Sequence, residues 1–145
     1  MADVAEVTNE AITRDHVLKR LDDWDDRLNG LYRLVETWLP KGWSVVRKTE
    51  VHIDEEMMRR FDVAPRRVPG LELKSDDERG ASMEPRALWV IGVNGRVDLY
   101  SGSKHHIIVD RSTVFESPDW RISDFSDRSK LEKLDQRTLA IALSK

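Results

Sequence analysis

Residues 14–39 have the sequence RDHVLKRLDDWDDRLNGLYRLVETWL, which predicts one long amphipathic helix. Thr13 is a suitable N-cap, and Asp15 lies in the first turn, where the helix dipole favours an anion. Pro40 ends the helix. Such a helix is roughly 37 Å long, about twice the usual length. Gly30 lies in its interior and costs up to ~1 kcal/mol relative to Ala, although it would allow a close approach of the backbone.

The apolar side chains of this helix recur at alternating spacings of four and three residues, which is an a/d seam over three heptads. The seam consists of Val17, Leu21, Trp24, Leu28, Leu31, Val35 and Trp38. Two interpretations remain open: the seam packs on a sheet of the same chain, or part of it meets the same helix of a second chain. The two tryptophans suit a helix on a sheet, or a broad mixed interface, better than a two-stranded coiled coil.

The segment after the helix is predicted to start a sheet. Residues 43–53 are rich in β-branched side chains and predict one or two short strands. Asp54 is expected to cap a short helix at 55–61, with acidic residues in its first turn and Arg59-Arg60 in its last. Residues 64–70 are expected to form an extended linker, because a residue that precedes proline avoids helical geometry.

A β-meander is predicted next. Residues 71–74 pair with 81–84, and 88–93 pair with 96–100 across Asn94-Gly95, the strongest short hairpin signal. The strand at 88–93 would be apolar on both faces, so we expect it to be central and covered on both sides. Residues 105–110 form the following strand, in one of two registers. Either Tyr100 lies opposite His105, or Asp98 lies opposite His106.

The end of the chain completes the predicted fold. Residues 113–125 are expected to form an edge strand or a packed loop, and residues 129–143 a helix that uses Leu131, Leu134, Thr138 and Ile141. The sequence therefore predicts a single α+β domain over residues 1–145, in which a long N-terminal helix packs on a mostly antiparallel sheet of five or six strands. Residues 1–12 are expected to be flexible, and the sheet to span 43–125.

The composition excludes several classes of function. The chain has 145 residues, a formal net charge of −3 and no cysteine. Disulfide frameworks, thiolate metal sites and a cysteine nucleophile are therefore impossible. We expect a soluble cytoplasmic protein without a signal peptide or membrane span. Residues 1–40 carry five basic and nine acidic side chains, so bulk charge does not indicate a nucleic-acid binder.

Two sets of residues are candidates for chemistry or ligand binding. Asp98, His106 and Asp110, with His52 folded over them, could hold a divalent metal or act as an acid–base pair. The sequence favours a structural interpretation, a surface His–Asp pair or a cross-strand contact, and no metal or cofactor is assigned. Arg59, Arg60, Arg66 and Arg67 could grip a phosphate or an acidic surface. The fragment Glu72-Leu73-Lys74 occurs in metal-dependent nucleases but also arises by chance.

Among these alternatives the sequence favours a non-enzymatic interaction module. It would dimerise, or dock on a larger assembly, through the N-terminal helix and an apolar face of the sheet. Buried aromatic side chains dominate binding hot spots. The candidate anchor residues are Trp24, Leu28, Leu31, Trp38, Trp89 and Tyr100. The alternatives from other classes are a metal-assisted hydrolase or nuclease and a nucleic-acid or anion binder.

Overall fold

The structure is a computed structural model that describes residues 12–145, so the predicted flexible segment lies almost entirely outside the described residues. In chain order the elements are α1 (Arg14–Trp38), β1 (Trp43–Ile53), α2 (Glu56–Arg60), β2 (Arg66–Ser75), β3 (Gly80–Ala87), β4 (Arg96–Ser101), β5 (Lys104–Asp110), β6 (Trp120–Asp124), β7 (Asp127–Lys133) and α3 (Gln136–Leu143). The seven strands form one antiparallel sheet in sequence order, which confirms the α+β meander.

Helix α1 forms where the sequence predicts it. The Thr13 hydroxyl accepts a hydrogen bond from the backbone N–H of His16 at 3.2 Å, which is the predicted cap. The apolar seam packs on the sheet of the same chain. Trp24, Leu28 and Leu31 have no exposed surface, and each fully buried side chain of this kind contributes about 2–3 kcal/mol. These three predicted anchor residues therefore belong to the core and not to an exposed surface.

The register between β4 and β5 follows from a two-residue turn, Gly102-Ser103. Tyr100 pairs with His105 and Leu99 pairs with His106, which selects the first of the two predicted registers. Since paired residues share a face, Leu99 and His106 lie on the side covered by α1, and Tyr100 and His105 lie on the opposite, outer face.

The predicted hairpin at Asn94-Gly95 is wrong. β4 pairs with β3, and residues 88–95 form the connection between them, with a tight turn at Val90–Val93. Gly92, with φ +83°, is the third residue of this turn. Gly95 (φ +106°) instead allows α1 to approach closely, because a Cβ there would collide with the Trp24 ring. The expectation of a strand at 88–93 that is apolar on both faces is therefore also wrong.

Three other boundaries differ from the prediction. Helix α2 covers only 56–60, and its N-cap is Glu55 instead of Asp54, because Glu55 has extended backbone geometry. The Glu55 carboxylate accepts hydrogen bonds from the backbone of Leu88 and Trp89. The predicted linker at 64–70 is mostly strand, since residues 66–75 pair with β1.

The predicted helix at 129–143 divides into β7 and α3. Asp135 accepts a hydrogen bond from the Thr138 N–H at 2.9 Å, so the helix begins there. Its buried face contains Leu139 and Leu143, while Ile141 is 52% exposed. The sheet therefore extends to residue 133, beyond its predicted end, because the N-terminal part of the predicted helix pairs with β6.

Replacing Gly95 with alanine should test the contact between the 88–95 connection and α1. We expect Gly95→Ala to lower the free energy of unfolding by about 3 kcal/mol or more, because positive-φ strain adds to a collision inside the core. Gly92→Ala is the matched control, since its positive φ is similar but no atom lies within 4 Å of its Cβ position. It should cost about 1–2 kcal/mol in urea unfolding. Equal losses would contradict the assigned packing of Trp24.

Candidate functional site

A groove of about 500 Å³ runs between α1 and the loop that joins β5 to β6. One wall is a stripe of α1 beside the buried seam, and the other is the loop around Phe115. The lining residues are Asp23, Asp26, Arg27, Gly30, Leu31, Leu34, Phe115, Glu116, Ser117, Pro118 and Trp120. The floor of the groove is mainly apolar, and its carboxylates belong to Asp23, Asp26 and Glu116.

Arg27 holds the two walls together. Its Nη1 donates to Asp110 Oδ2 at 2.7 Å and to the Ser112 hydroxyl at 3.0 Å. Its Nη2 donates to the carbonyl of Glu116, and its Nε donates to Asp23 at 2.5 Å. All three guanidinium nitrogens thus have partners, as a buried arginine requires.

Asp110 closes the loop from the sheet side. This carboxylate has no exposed surface, and its Oδ1 accepts hydrogen bonds from the backbone of Ser112 and Asp119, each at 2.9 Å. One residue therefore pins both ends of the loop, while its other oxygen bonds Arg27. The wall that carries Phe115 is fixed to the fold at three points.

Gly30 leaves the α1 wall of the groove open. Among the atoms of residues 12–145, a Cβ at this position would meet none closer than Arg33 Nη2, at 3.9 Å. No close approach of the backbone explains this glycine, contrary to the role that the sequence suggested. The neighbouring Leu34 is 42% exposed, so apolar surface of α1 faces the open space.

Phe115 forms the opposite wall in a strained conformation. Its φ is +67°, which is an outlier for a bulky side chain and costs about 1–2 kcal/mol. It follows Val114 in a turn closed by a hydrogen bond from Glu116 N–H to the Thr113 carbonyl. The ring is 49% exposed and packs edge-to-face on His16, with 5.8 Å between centroids.

A second buried arginine lies one heptad before Arg27 on the same helix. Arg20 is 9% exposed, and its Nη2 donates to Asn94 Oδ1 at 2.9 Å. Within residues 12–145 its Nε has no hydrogen-bond partner, and its guanidinium lies 5.5 Å from the centre of the Trp89 ring. Burial lowers the pKa of Arg20. This residue is therefore held by an amide and an aromatic ring, without the carboxylate that holds Arg27.

The structure separates the residues predicted to form a metal or acid–base site. Asp98 lies on the outer face of the sheet, whereas His106 and Asp110 lie on the α1 side, because the register pairs Asp98 with Ile107. His52 lies on β1, and three strands separate β1 from β5 in the sheet. Within residues 12–145, no three His, Asp or Glu side chains are placed to hold a metal ion. The expected site is corrected accordingly.

Asp98 instead pairs with His105. Its Oδ2 lies 2.8 Å from His105 Nε2, and Arg96 Nε donates to its Oδ1 at 2.7 Å. Burial raises the pKa of Asp98, but hydrogen bonds from Arg96 and His105 outweigh it and lower the pKa overall. The imidazole is stacked between the rings of Tyr100 and Phe125, at 4.4 and 4.2 Å. Both faces of His105 are covered, so this contact orders the outer face.

His106 lies under α3, beside a cleft of about 290 Å³. Its Nε2 is 4.0 Å from Asp124 Oδ2, and its Nδ1 is buried without a partner among the described residues. Burial lowers the pKa of His106, against the opposing effect of Asp124. The environment thus favours the neutral imidazole, because protonation would leave a buried N–H unsatisfied.

The four candidate anion-binding arginines do not form one free patch. Arg66 bonds Asp22 and Asp25 of α1, Arg67 bonds Glu50 at 3.0 Å, and Arg59 bonds the carbonyl of Asp54 at 2.5 Å. Arg60 is exposed. The nuclease-like fragment is similarly occupied, because Glu72 pairs with Arg47 and Lys74 with Glu78.

The remaining predicted anchor residues are only partly exposed. Trp38 packs against the core from the end of α1, Trp89 covers Arg20, and Tyr100 stacks on His105. Sequence reasoning missed Arg27 and Phe115. A signal existed for Arg27, because it repeats Arg20 at a seven-residue spacing beside the seam.

Comparison with known proteins does not assign a family. The chain matches no family model, and no curated protein or solved structure shows significant similarity to it. Within residues 12–145, no helix has the length and apolar character needed to cross a bilayer.

The two buried arginines should respond differently to replacement by methionine. We expect Arg27→Met to lower the free energy of unfolding by about 3–5 kcal/mol, because it leaves the buried Asp110 carboxylate unpaired. Arg20→Met removes a buried cation that forms no ion pair within residues 12–145. It leaves the buried Asn94 Oδ1 unpaired, so it should lower the free energy of unfolding by about 1–2 kcal/mol. Chemical denaturation measures both. Similar losses in the two variants would contradict the distinction.

The free energy of unfolding should fall when the pH is lowered from 7 to 5. The unfolded chain takes up a proton at His106 near pH 6.5, whereas the folded chain resists protonation because its pKa is lowered. The contribution of neutral His106 to the free energy of unfolding is therefore fully present above pH 6.5, and it declines as the pH falls toward the folded-state pKa. His106→Gln should reduce this slope. His52→Gln is the control, because His52 is an exposed side chain of β1, and it should leave the slope unchanged. An unchanged slope in His106→Gln would contradict this account.

Proposed function

We propose that this protein is a non-enzymatic binding module that docks a protein segment in the groove between α1 and the β5–β6 loop. The function class is the one that the sequence favours. The proposed binding surface is different, because it is the stripe of α1 beside the seam and not the seam. The seam itself is filled by the sheet.

One observation carries the proposal: each wall of the groove holds a residue that is unfavourable for its own backbone. Gly30 lies in a helix interior, where alanine is better by about 1 kcal/mol and would fit without a clash. Phe115 has a left-handed conformation, for which glycine is preferred. Both choices create the groove, one by leaving space and the other by supplying an exposed aromatic wall.

The chemistry of the lining supports binding over catalysis. Leu34, Phe115 and Pro118 are exposed apolar residues, and the one buried charged group, Arg27, is fully occupied by partners within the fold. Exposed apolar surface next to polar rims is typical of protein-binding sites. Homodimerisation and a cytoplasmic location stay predictions.

Filling the groove should abolish binding without unfolding the protein. A random peptide library is selected on the wild-type chain, and each recovered peptide is tested on Gly30→Leu and Phe115→Gly. Gly30→Leu places a side chain in the open space and improves helix propensity, so it should be as stable as wild type or more stable. Phe115→Gly relieves the positive-φ strain and removes a wall. We expect at least a tenfold loss of affinity in both.

Val46→Thr is the matched control, because Val46 is 48% exposed but lies on the distant strand β1. It should leave affinity unchanged. Failure to recover any peptide that distinguishes wild type from Gly30→Leu would overturn the proposal. Thermal unfolding of the variants, run alongside, shows that a loss of affinity does not come from a loss of structure.

A further inference from the structure

We infer that the groove receives a basic amphipathic segment, with apolar side chains on its floor and Lys or Arg side chains over its rim. The inference rests on the proposed docking function and names the class of partner. It is carried by the charges that surround the apolar floor.

The rim is acidic, and two of its carboxylates are free to meet a partner. Asp26 and Glu116 are both exposed, and neither takes part in an ion pair within residues 12–145. They come from opposite walls, one from α1 and one from the loop. A cation that crosses the groove would therefore meet a carboxylate on either side.

The other charged groups do not cancel this field. Arg27 forms ion pairs with both Asp23 and Asp110. A second guanidinium group, that of Arg33, lies beside Gly30. The three carboxylates of the groove lining, together with the buried Asp110, thus outnumber the guanidinium groups of Arg27 and Arg33. Electrostatic complementarity at a rim selects the partner and speeds association, so the excess of negative charge favours a basic segment.

The same charges argue against a second copy of this chain as the occupant. A symmetric pair of chains would place the groove of one against the groove of the other. The acidic rim of one groove would then face the acidic rim of the other, and like charges at close range are repulsive. The apolar floor needs a covering surface that is neutral or positive at its edges, and this groove does not supply one for itself.

The shape fits an amphipathic segment rather than a flat surface. Gly30 and Leu34 lie one helical turn apart along α1, with Phe115 and Pro118 across from them. A groove of about 500 Å³ has room for a few side chains spaced by one helical turn. Helices that bind in grooves present such anchors at i, i+3 or i+4.

The charge of the groove-dependent peptides tests this inference. Peptides that bind wild type but not Gly30→Leu are sequenced, and we expect Lys and Arg to exceed Asp and Glu among them. Their affinity should fall roughly five- to tenfold in the double variant Asp26→Asn, Glu116→Gln, and it should weaken as salt increases. Glu36→Gln is the control, because Glu36 is an exposed carboxylate of α1 outside the groove, and it should leave affinity unchanged.

The outcomes separate the two proposals. The groove-dependent peptides could be neutral or acidic, or could bind the double variant as tightly as wild type. Either result would contradict the inference of a basic partner and would still support the docking function. Absence of any groove-dependent peptide would overturn both. Light scattering supplies one more outcome: concentration-dependent dimers that disappear in Gly30→Leu would make a second copy the occupant and contradict the inference.

Discussion

The buried ion pair between Arg27 and Asp110 joins helix α1 to the end of β5 and to the loop that follows it, although the two residues lie 83 positions apart in the chain. Arg27 belongs to α1, Asp110 ends β5, and Ser112 and Glu116 lie in the loop that leads to β6. Removing two charges from water costs several kcal/mol each, and attraction offsets this only when every remaining donor and acceptor is used. Here both oxygens of Asp110 and all three nitrogens of Arg27 have partners, and the consequence is a fixed loop over a fixed helix.

The packing of α1 on the sheet supplies the second constraint. Trp24 contacts Gly95 on the β3–β4 connection, and its ring lies 6.3 Å from that of Trp120 on β6. Trp24 thus packs against the elements that flank the β4–β5 pair, the β3–β4 connection and strand β6. The helix position is set by the seam and by this ring, and the stripe with Gly30 and Leu34 is therefore left at the edge of the contact.

Local signals in the sequence predict the elements whose preferences agree with the tertiary fold. Helix α1, strand β1 and the pairing of 71–74 with 81–84 follow from periodicity, a cap and β-branched residues. The Asn94-Gly95 signal fails because Gly95 is required by a distant ring, which no local rule detects. The sequence predicts helix instead of strand β7 for a related reason. The side chains of β7 are almost all exposed, so its extended conformation depends on pairing with β6.

The candidate site was less predictable than the fold. The sequence shows the cost of Gly30 but not the space beside it, and Phe115 carries no local signal for a positive φ. In the sequence Arg27 resembles a solvated residue on the polar face of α1. Its partner Asp110 lies 83 residues away, so no local pattern shows that Arg27 is buried and paired. A site made of long-range contacts and backbone strain is visible only when the chain is folded.

The strain at Phe115 and the anchor at Arg27 are two parts of one arrangement. A residue persists in an unfavourable backbone conformation only when the surrounding structure determines it, and Arg27 and Asp110 hold the loop on both sides of Phe115. The ring is therefore exposed in one orientation before any partner arrives. A wall that is already ordered loses little entropy on binding, so a small apolar floor can yield a useful affinity. The cost at Gly30 and Phe115 falls on folding stability, and under the proposed docking function the benefit would lie in binding.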